Sequence, residues 1–401
     1  MGGNSDHRVI GQAMDLFSFH EVAPGAPFWH HNGMIIIKEL AKVVRQINEE
    51  SGYQEVSTPI IVKDEVFKKS GHWQHYRQQM FYFDNPADKN EHLVIKPMNC
   101  PESTYIFNSQ VRSYRDLPLR LAEIGYLNRN ELSGTLGGLF RVRQLTMDDA
   151  HIYCRPDQVA EEILQIVKTI DRFYHALGLK PHYILATRPP KFLGDKSDWD
   201  KAEAALQQAM DASKIKYKTE KGVGSFYGPK VEAHARDSQG RDWQLGTAQL
   251  DLVMLPKQFK TYYIDEKGKK QLPWVIHRAI FGTFERFIGL LLEHTNGHLP
   301  LWLAPVQVMV INVGSAQAQY AKQVCNKLKA AGVRAELSSD NLTVSKRIRE
   351  AEMRRVPYIA VVGDKEVKNG KISLRHWQKG DLGSKSLADF KKILGKENLL
   401  K

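Results

Sequence analysis

The chain has 401 residues, of which 42% are hydrophobic and 25% charged, which predicts a globular protein of two or three domains. No apolar run approaches 18 residues, so the sequence argues against a membrane protein. Three scattered cysteines are too few for a disulfide framework, and a reducing, cytoplasmic location is therefore expected.

The positive charge is concentrated near the C-terminus. The net charge is +12, and residues 301–401 carry 19 Lys and Arg against 9 Asp and Glu. This asymmetry indicates that the C-terminal part meets a polyanion. A solvated basic face without a partner is the alternative, and charge alone does not separate the two.

The first 300 residues predict strands that follow one another without regular crossover helices. An amphipathic pattern predicts a helix over 34–50, ending at Gly52, and 53–59 read as a strand whose Pro59 suits a sheet edge or an interface. Further strands are predicted at 93–96, 122–127, 139–145, 151–154, 182–187, 229–234 and 247–254, with helices at 157–177 and 275–293. This order favours an α+β fold with an antiparallel sheet flanked by helices.

The pattern changes after a Pro-rich break at 298–305. Strands are predicted at 306–312, 333–338, 358–362 and 371–376, and helices at 316–331, 342–354 and 386–394. Their alternation predicts a smaller α/β domain. We therefore expect one domain over residues 1–300 and a second over 301–401.

Three residues far apart in sequence have the side chains that bind zinc. Cys100, His151 and His277 supply one thiolate and two imidazoles, and three protein ligands with an open fourth position are typical of catalytic zinc. Their separations match no local metal motif. A buried cysteine and two core histidines are the alternative interpretation.

Arginines around these residues predict phosphate chemistry. Arg129 is expected at the end of one strand and Arg141 at the start of the next, so a hairpin would bring both to one site, with Arg286 from a later helix. The sequence contains neither of the usual Gly-rich phosphate loops. An ATP-using enzyme without those loops is typical of the class II aminoacyl-tRNA synthetases.

Longer motifs carry a specific resemblance. Over nearly its full length the chain resembles threonyl-tRNA synthetases, with a catalytic core and an anticodon-binding domain. The matching runs include Ile95-Lys-Pro-Met-Asn-Cys-Pro101, Arg129-Asn-Glu131, Asp148-Asp-Ala-His151, Phe226-Tyr-Gly-Pro-Lys230, Ile276-His-Arg-Ala279, Glu285-Arg-Phe287 and Gly363-Asp-Lys-Glu366.

The resemblance implies a threonine–tRNA ligase that uses ATP, L-threonine and threonine tRNA, with Mg²⁺ accompanying ATP and one Zn²⁺ per chain on Cys100, His151 and His277. It implies a homodimer formed through the region near Pro59. It also implies that this sequence lacks the N-terminal editing region of longer relatives.

The resemblance assigns roles to further residues. The residues implied to bind ATP are Arg129, Glu131, Arg141, Gln244 and Arg286, and Arg129 and Arg286 are implied to be catalytic. Those implied to line the threonine pocket are Asp149, Tyr227, Lys230 and Gln249. His72 is implied to act near the terminal ribose of tRNA, and Asn341, Glu366 and Arg375 to read the anticodon.

The sequence also departs from the family pattern at Asn128, at Leu145 and Met147 near the nucleotide and substrate, and at Glu102 and Ser103 after the zinc cysteine. Two other functions are therefore considered. One is a synthetase-like enzyme with a non-tRNA acceptor, which the retained anticodon readers disfavour. The other is an RNA-binding paralogue without catalysis, which the retained arginines and metal ligands disfavour.

Overall fold

The computed structural model describes residues 6–237, 239–338 and 342–397, so the predicted anticodon residue Asn341 lies outside the described residues. The chain divides into two compact units. The larger unit comprises His20–Pro27 and Ala41–Leu290, and the smaller unit comprises Met1–Phe19, Phe28–Leu40 and Leu291–Lys401.

The helices, in chain order, are α1 His7–Ala13, α2 His31–Glu50, α3 Glu65–Ser70, α4 His72–Tyr76, α5 Cys100–Asn108, α6 Val159–Ala176, α7 Lys196–Ser213, α8 Met254–Gln258, α9 Phe284–Thr295, α10 Ala318–Lys329, α11 Val344–Met353, α12 Asp364–Asn369 and α13 Leu387–Glu397.

The strands are β1 Phe17–Ser18, β2 Phe28–Trp29, β3 Gln54–Glu55, β4 Ile61–Lys63, β5 Phe81–Asn85, β6 Asp88–Ile95, β7 Arg112–Ser113, β8 Leu119–Asn128, β9 Gln144–Cys154, β10 His182–Ala186, β11 Tyr217–Glu220, β12 Lys230–Arg236, β13 Asp242–Asp251, β14 Tyr263–Ile264, β15 Lys270–Gln271, β16 Trp274–Ala279, β17 Val308–Asn312, β18 Ala335–Leu337, β19 Tyr358–Val362, β20 Lys371–His376 and β21 Gly380–Ser386.

The larger unit is built on a sheet of eight described strands in the order β11-β10-β12-β13-β16-β9-β8-β3. Every neighbouring pair is antiparallel except β10–β11 and β3–β8 at the two edges. The α+β prediction with an antiparallel sheet flanked by helices is confirmed. The predicted strand over 53–59 pairs only at Gln54–Glu55.

Helix α6 covers one face of this sheet because its apolar residues recur at helical spacing. Val159, Ile163, Ile166, Val167, Ile170 and Phe173 are all buried. Ile170 lies against Gly246 of β13, where a Cβ would meet its side chain at 3.1 Å. The helix thus leaves the opposite face of the sheet for polar side chains.

The prediction of one helix over 275–293 is wrong. The segment forms β16, a turn and then α9, with Gly282 at φ 79° in the turn. A strand buried on both faces gives a continuous apolar run, which periodicity does not separate from a buried helix. Val275, Ile276 and Ala279 are all buried in this central strand.

The prediction of a strand over 139–145 is also wrong, because β9 begins at Gln144 and continues unbroken to Cys154. Arg129 and Arg141 therefore lie in the connection between β8 and β9, not on strands. Backbone hydrogen bonds from Arg143 N to Gly25 O and from Arg129 N to Arg143 O hold that connection.

The smaller unit contains a five-stranded sheet of described strands in the order β18-β17-β19-β20-β21. Alternate residues of β17 face different cores: Val308 and Val310 pack with Phe390, whereas Met309 and Ile311 pack with Ala351. The prediction of a smaller α/β domain is confirmed, although the sequence pattern missed α12 and β21.

The cysteines and the helices add two observations. Cys100, Cys154 and Cys325 are all buried and free. No helix in the described ranges combines the length and the apolar composition that crossing a membrane requires.

Candidate active site

Four polar residues form a continuous row across the central strands of the larger unit. His151 of β9 pairs directly with His277 of β16, which pairs with Gln249 of β13, which pairs with Lys230 of β12. Residues opposite one another in neighbouring strands point to the same face of a sheet. The register therefore places four predicted site residues side by side.

Cys100, the first residue of α5, completes a cluster with the two histidines of this row. One ligand atom from each of Cys100, His151 and His277 lies within 4.8 Å of the other two, and all three residues are buried. His151 Nε2 has no hydrogen-bond partner among the described residues. A buried imidazole nitrogen without a partner is costly, and a cation at this point would satisfy it.

The surroundings of the cluster suit a bound cation. Burial raises the pKa of the Cys100 thiol, and the nearby Asp149 carboxylate adds to this effect. Asp251 Oδ2 lies 3.4 Å from His277 Nε2, and the same carboxylate accepts hydrogen bonds from the backbone of Val253, Met254 and Leu255. A carboxylate that orients a histidine is common behind metal ligands.

Asp149 lies two residues before His151 and shares its face of β9. Asn99 Nδ2 donates to Asp149 Oδ2 at 2.9 Å. Burial raises the pKa of Asp149 to about 6, against the lowering effect of Asn99. Gly125 leaves space for Asn99, since a Cβ there would lie 2.5 Å from its amide atoms.

These groups line a cavity of about 340 Å³. The predicted site residues that line it are His72, Cys100, Arg129, Glu131, Asp149, His151, Tyr227, Lys230, Gln244, Gln249 and His277. The structure thus brings together every predicted metal and threonine residue and part of the predicted ATP set. Met147 also lines the cavity, and it packs against a small core formed by Leu127, Val142 and Leu145.

Hydrogen bonds of hydroxyl and amide groups hold the side chains on the far side of the cavity. Tyr227 Oη donates to Gln249 Oε1 at 3.0 Å, and Gln249 Nε2 donates to Gly228 O at 3.2 Å. Lys230 pairs with Glu232 on the same strand. These contacts fix the directions of the side chains that would surround a small polar ligand.

Three arginines form a cationic group at the other end of the site. Arg286 Nε and Nη1 donate to the carbonyl oxygens of Phe140 and Gln244 at 3.1 and 3.0 Å, and Arg129 Nε donates to Pro97 O at 3.1 Å. Burial, together with the nearby charges of Arg129 and Arg141, lowers the pKa of Arg286 to about 10. Crowded cations of this kind indicate an anionic ligand.

His72 lies at the cavity wall as a neutral imidazole. Ser70 Oγ is 2.8 Å from His72 Nδ1. Burial lowers the pKa of His72 to about 3, with smaller contributions from His277, His75 and Arg129.

Several supporting residues were not predicted from the sequence. Asn99 stands directly before Cys100 in the matching run, which was a usable signal, but its contact with Asp149 depends on the fold. Asp251 lies in none of the matching runs, so the sequence did not indicate its place beside His277. Glu285 lies in a matching run beside Arg286, but its contact was not predicted: it accepts from Thr146 N through both carboxylate oxygens, and burial raises the pKa of Glu285 to about 7.

The two described anticodon candidates lie in the smaller unit. Glu366 at the start of α12 accepts from Gly363 N and from Ser373 Oγ, each at 2.9 Å. Arg375 on β20 is exposed, and its Nη2 lies 3.4 Å from Glu352 Oε1. Glu366 therefore has a structural role in capping its own helix.

Comparison with known proteins identifies the family. A profile described as the tRNA synthetase class II core domain (G, H, P, S and T) matches residues 81–295, and one described as the anticodon binding domain matches residues 307–397. A solved structure of the RNA binding domain of threonyl-tRNA synthetase from Cryptosporidium parvum has a TM-score of 0.90 and 36% identity, covering 98% of each chain. The chain belongs to the threonyl-tRNA synthetase family.

Curated relatives agree with this family. The threonine–tRNA ligase of Carboxydothermus hydrogenoformans is 46% identical over 96% of the chain, and that of Clostridium acetobutylicum is 45% identical over the same share. The chain spans 60% of the length of each of these relatives. A prolyl-tRNA synthetase structure from Cryptosporidium parvum, at 18% identity and a TM-score of 0.76, shares the fold.

Proposed function

We propose that the protein is a threonine–tRNA ligase. In the first step a carboxylate oxygen of L-threonine attacks the α-phosphorus of ATP, giving threonyl-adenylate and releasing pyrophosphate. In the second step a terminal ribose hydroxyl of threonine tRNA attacks the threonyl carbonyl carbon and AMP leaves. The observation that carries the proposal is one cavity lined by Cys100, His151, His277, Asp149 and Arg129.

The donor set fits one Zn²⁺ per chain. Cys100, His151 and His277 would hold it, because one sulfur and two nitrogens suit zinc and the unpartnered Nε2 of His151 lies within the cluster. When bound, a zinc ion there would supply Lewis-acidic coordination for the amine and the hydroxyl of threonine. We propose Mg²⁺ as the companion of ATP, since polyphosphate charge is commonly neutralised in this way.

Asp149 selects the amino acid beside the metal ligands. Its carboxylate, oriented by Asn99, accepts a hydrogen bond from the threonine hydroxyl. Valine has the shape of threonine but no hydroxyl, so it would leave this buried group unpaired, and such a loss discriminates strongly. Tyr227, Lys230 and Gln249 bound the same pocket on its far side.

The arginines act on the phosphates. Arg129 and Arg141 neutralise the charge that develops at the α-phosphate and on departing pyrophosphate, and Glu131 and Gln244 bind the nucleotide. Arg286 has two hydrogen bonds to backbone carbonyls that fix the plane of its guanidinium, which suits stacking on adenine. Because these arginines are already positioned before the reaction, the site need not reorganise as negative charge develops on the phosphates.

His72 and the smaller unit serve the transfer step. Ser70 engages Nδ1 of His72, so Nε2 is the nitrogen available to a ribose hydroxyl at the cavity wall. Asn341, Glu366 and Arg375 would read the anticodon. We further propose a catalytic domain over residues 1–300 and an anticodon-binding domain over residues 301–401. A cytoplasmic location is also proposed, which the three free cysteines suit.

A homodimer through the region near Pro59 is also proposed. Ile60 and Ile61 directly follow Pro59 and are 49% and 51% exposed, and Phe83, which shares the face of Ile61 in the three-stranded sheet β4-β6-β5, is also exposed. Aliphatic and aromatic side chains that stay exposed together are typical of an interface. Sedimentation of wild type and Ile61→Lys tests this, because a lysine there should give monomers.

ATP–pyrophosphate exchange tests the central proposal. Threonine should support exchange and valine should not, while serine should support it less well, since one methyl group discriminates by about 10- to 200-fold. Cys100→Ser should abolish exchange, and Cys154→Ser, a buried cysteine outside the cavity, is the matched control. Equal exchange with threonine and valine would overturn the proposal.

A further inference from the structure

A second group of metal-binding side chains lies on the same sheet, apart from the active-site cluster. His182 of β10, His234 of β12 and Asp242 of β13 each offer a ligand atom, and these atoms lie within 4.8 Å of one another. None of the three lines the cavity. The proposed reaction gives none of them a role.

The strand register explains why they meet. His182 and His234 are direct cross-strand partners, and His234 pairs on its other side with Gln244, two residues after Asp242. Asp242 therefore shares the face of the two histidines. His182 Nε2 lies 3.2 Å and His234 Nδ1 lies 3.0 Å from Asp242 Oδ2.

We propose that His182, His234 and Asp242 bind a divalent transition-metal ion of the borderline class, such as zinc. Imidazole nitrogens favour these metals over Mg²⁺ and Ca²⁺, which prefer oxygen ligands. Two ligand atoms each about 2.0–2.1 Å from a tetrahedral zinc lie roughly 3.3 Å apart, close to the separations between Asp242 and each histidine. Three protein ligands leave one position for water.

The environment behind His234 supports the site. Its other ring nitrogen, Nε2, lies 2.9 Å from Glu232 Oε2, and Glu232 also pairs with Lys230. Metal-bound histidines commonly donate their second N–H to a carboxylate, which fixes the tautomer. Glu232 and Asp242 thus place a carboxylate beside each ring nitrogen of His234. The same negative charge attracts a dication.

The site is open enough to be filled from solution. The side chains of His182 and Asp242 are 45% and 40% exposed, whereas that of His234 is 13% exposed. One mostly buried histidine and two accessible ligands allow entry without opening the fold. Because the ligands come from β10, β12 and β13, occupancy would link three strands and stabilise the folded state.

Metal content after equilibrium with buffered free zinc tests the proposal, with metal measured by elemental analysis. Wild type should hold two ions per chain, and His182→Ala and Asp242→Asn should each hold one. His175→Ala removes an exposed histidine near Asp171 and is the matched control, which should keep two. Equal metal content in wild type and His182→Ala, or an equal loss in His175→Ala, would overturn the site.

Cys100→Ser separates this inference from the proposed catalytic zinc. That variant should keep one ion, and zinc should still raise its Tm; adding His182→Ala should abolish both effects. If wild type holds a single ion that Cys100→Ser keeps and His182→Ala loses, the catalytic zinc fails and this site stands. If wild type instead holds a single ion that Cys100→Ser loses and His182→Ala keeps, this site is overturned and the catalytic zinc stands.

Discussion

Asn99 donates to Asp149 across 2.9 Å, and this hydrogen bond exists only because residue 125 is glycine. A methyl group at Gly125 would lie 2.5 Å from the Asn99 amide, which is itself fully surrounded. The proposed threonine pocket therefore depends on a residue that need not touch threonine.

Gly125→Ala should raise the KM for threonine by about 10- to 100-fold, since a hydrogen bond to a charged group contributes about 1.5–3 kcal/mol. The KM for ATP should change little. Steady-state exchange at varied threonine and ATP measures both. Gly395→Ala, at a helix position with open space around it, is the control, and an unchanged threonine KM in folded Gly125→Ala contradicts the assignment.

Arg129→Ala should slow adenylate formation by on the order of a hundredfold or more, since losing one donor to a developing charge costs about 3 kcal/mol. Binding of tRNA should be unaffected. Pyrophosphate exchange measures the first effect and filter binding the second. Arg115→Ala, an exposed arginine that donates to Tyr114, serves as control; exchange near wild type in Arg129→Ala would remove Arg129 from the mechanism.

His72 yields a prediction about pH. Its pKa of about 3 is far below the usual value of 6.5, so the imidazole stays neutral as pH falls from 8 to 5.5. Transfer of threonine from preformed adenylate should therefore show no loss of rate from His72 over this range, although His72→Gln should lower the rate throughout. Single-turnover transfer measures both.

His75→Gln is the matched control for that experiment, because His75 is an exposed neighbour on the same helix. A wild-type rate that drops below about pH 6.5, with the drop absent in His72→Gln, would show that His72 titrates normally and would refute its buried, neutral state.

The sequence predicted which side chains belong to the candidate site, but not how the fold brings them together. Short runs of residues predicted Cys100, His151 and His277 as metal ligands, yet His277 was predicted to lie on a helix. Only the register of β16 against β9 places it opposite His151, 126 positions earlier in the chain. A buried central strand has no alternating pattern, so its long-range partner is not encoded in any local window.

The same limit applies to supporting contacts. The sequence placed Leu145 near the nucleotide but did not indicate that it packs with Leu127 and Val142. Arg129 and Arg141 were expected on paired strands, but the connection between β8 and β9 carries both. Residue type predicted what these side chains can bind, whereas packing determined where they lie.

Arg375→Ala should separate tRNA charging from amino-acid activation. Arg375 is exposed on β20 of the smaller unit, and its Nη2 lies 3.4 Å from Oε1 of Glu352, which is also exposed. Removing the Arg375 side chain should therefore leave the core undisturbed. If it contacts an anticodon base, charging should fall by about 10- to 100-fold, because such a contact contributes about 1–3 kcal/mol. Pyrophosphate exchange should remain at the wild-type rate.

Arg349→Ala removes the same charge from an exposed position on α11, so it reports the contribution of net charge alone. Equal charging defects in the two variants would mean that the smaller unit attracts tRNA by charge without reading a base through Arg375.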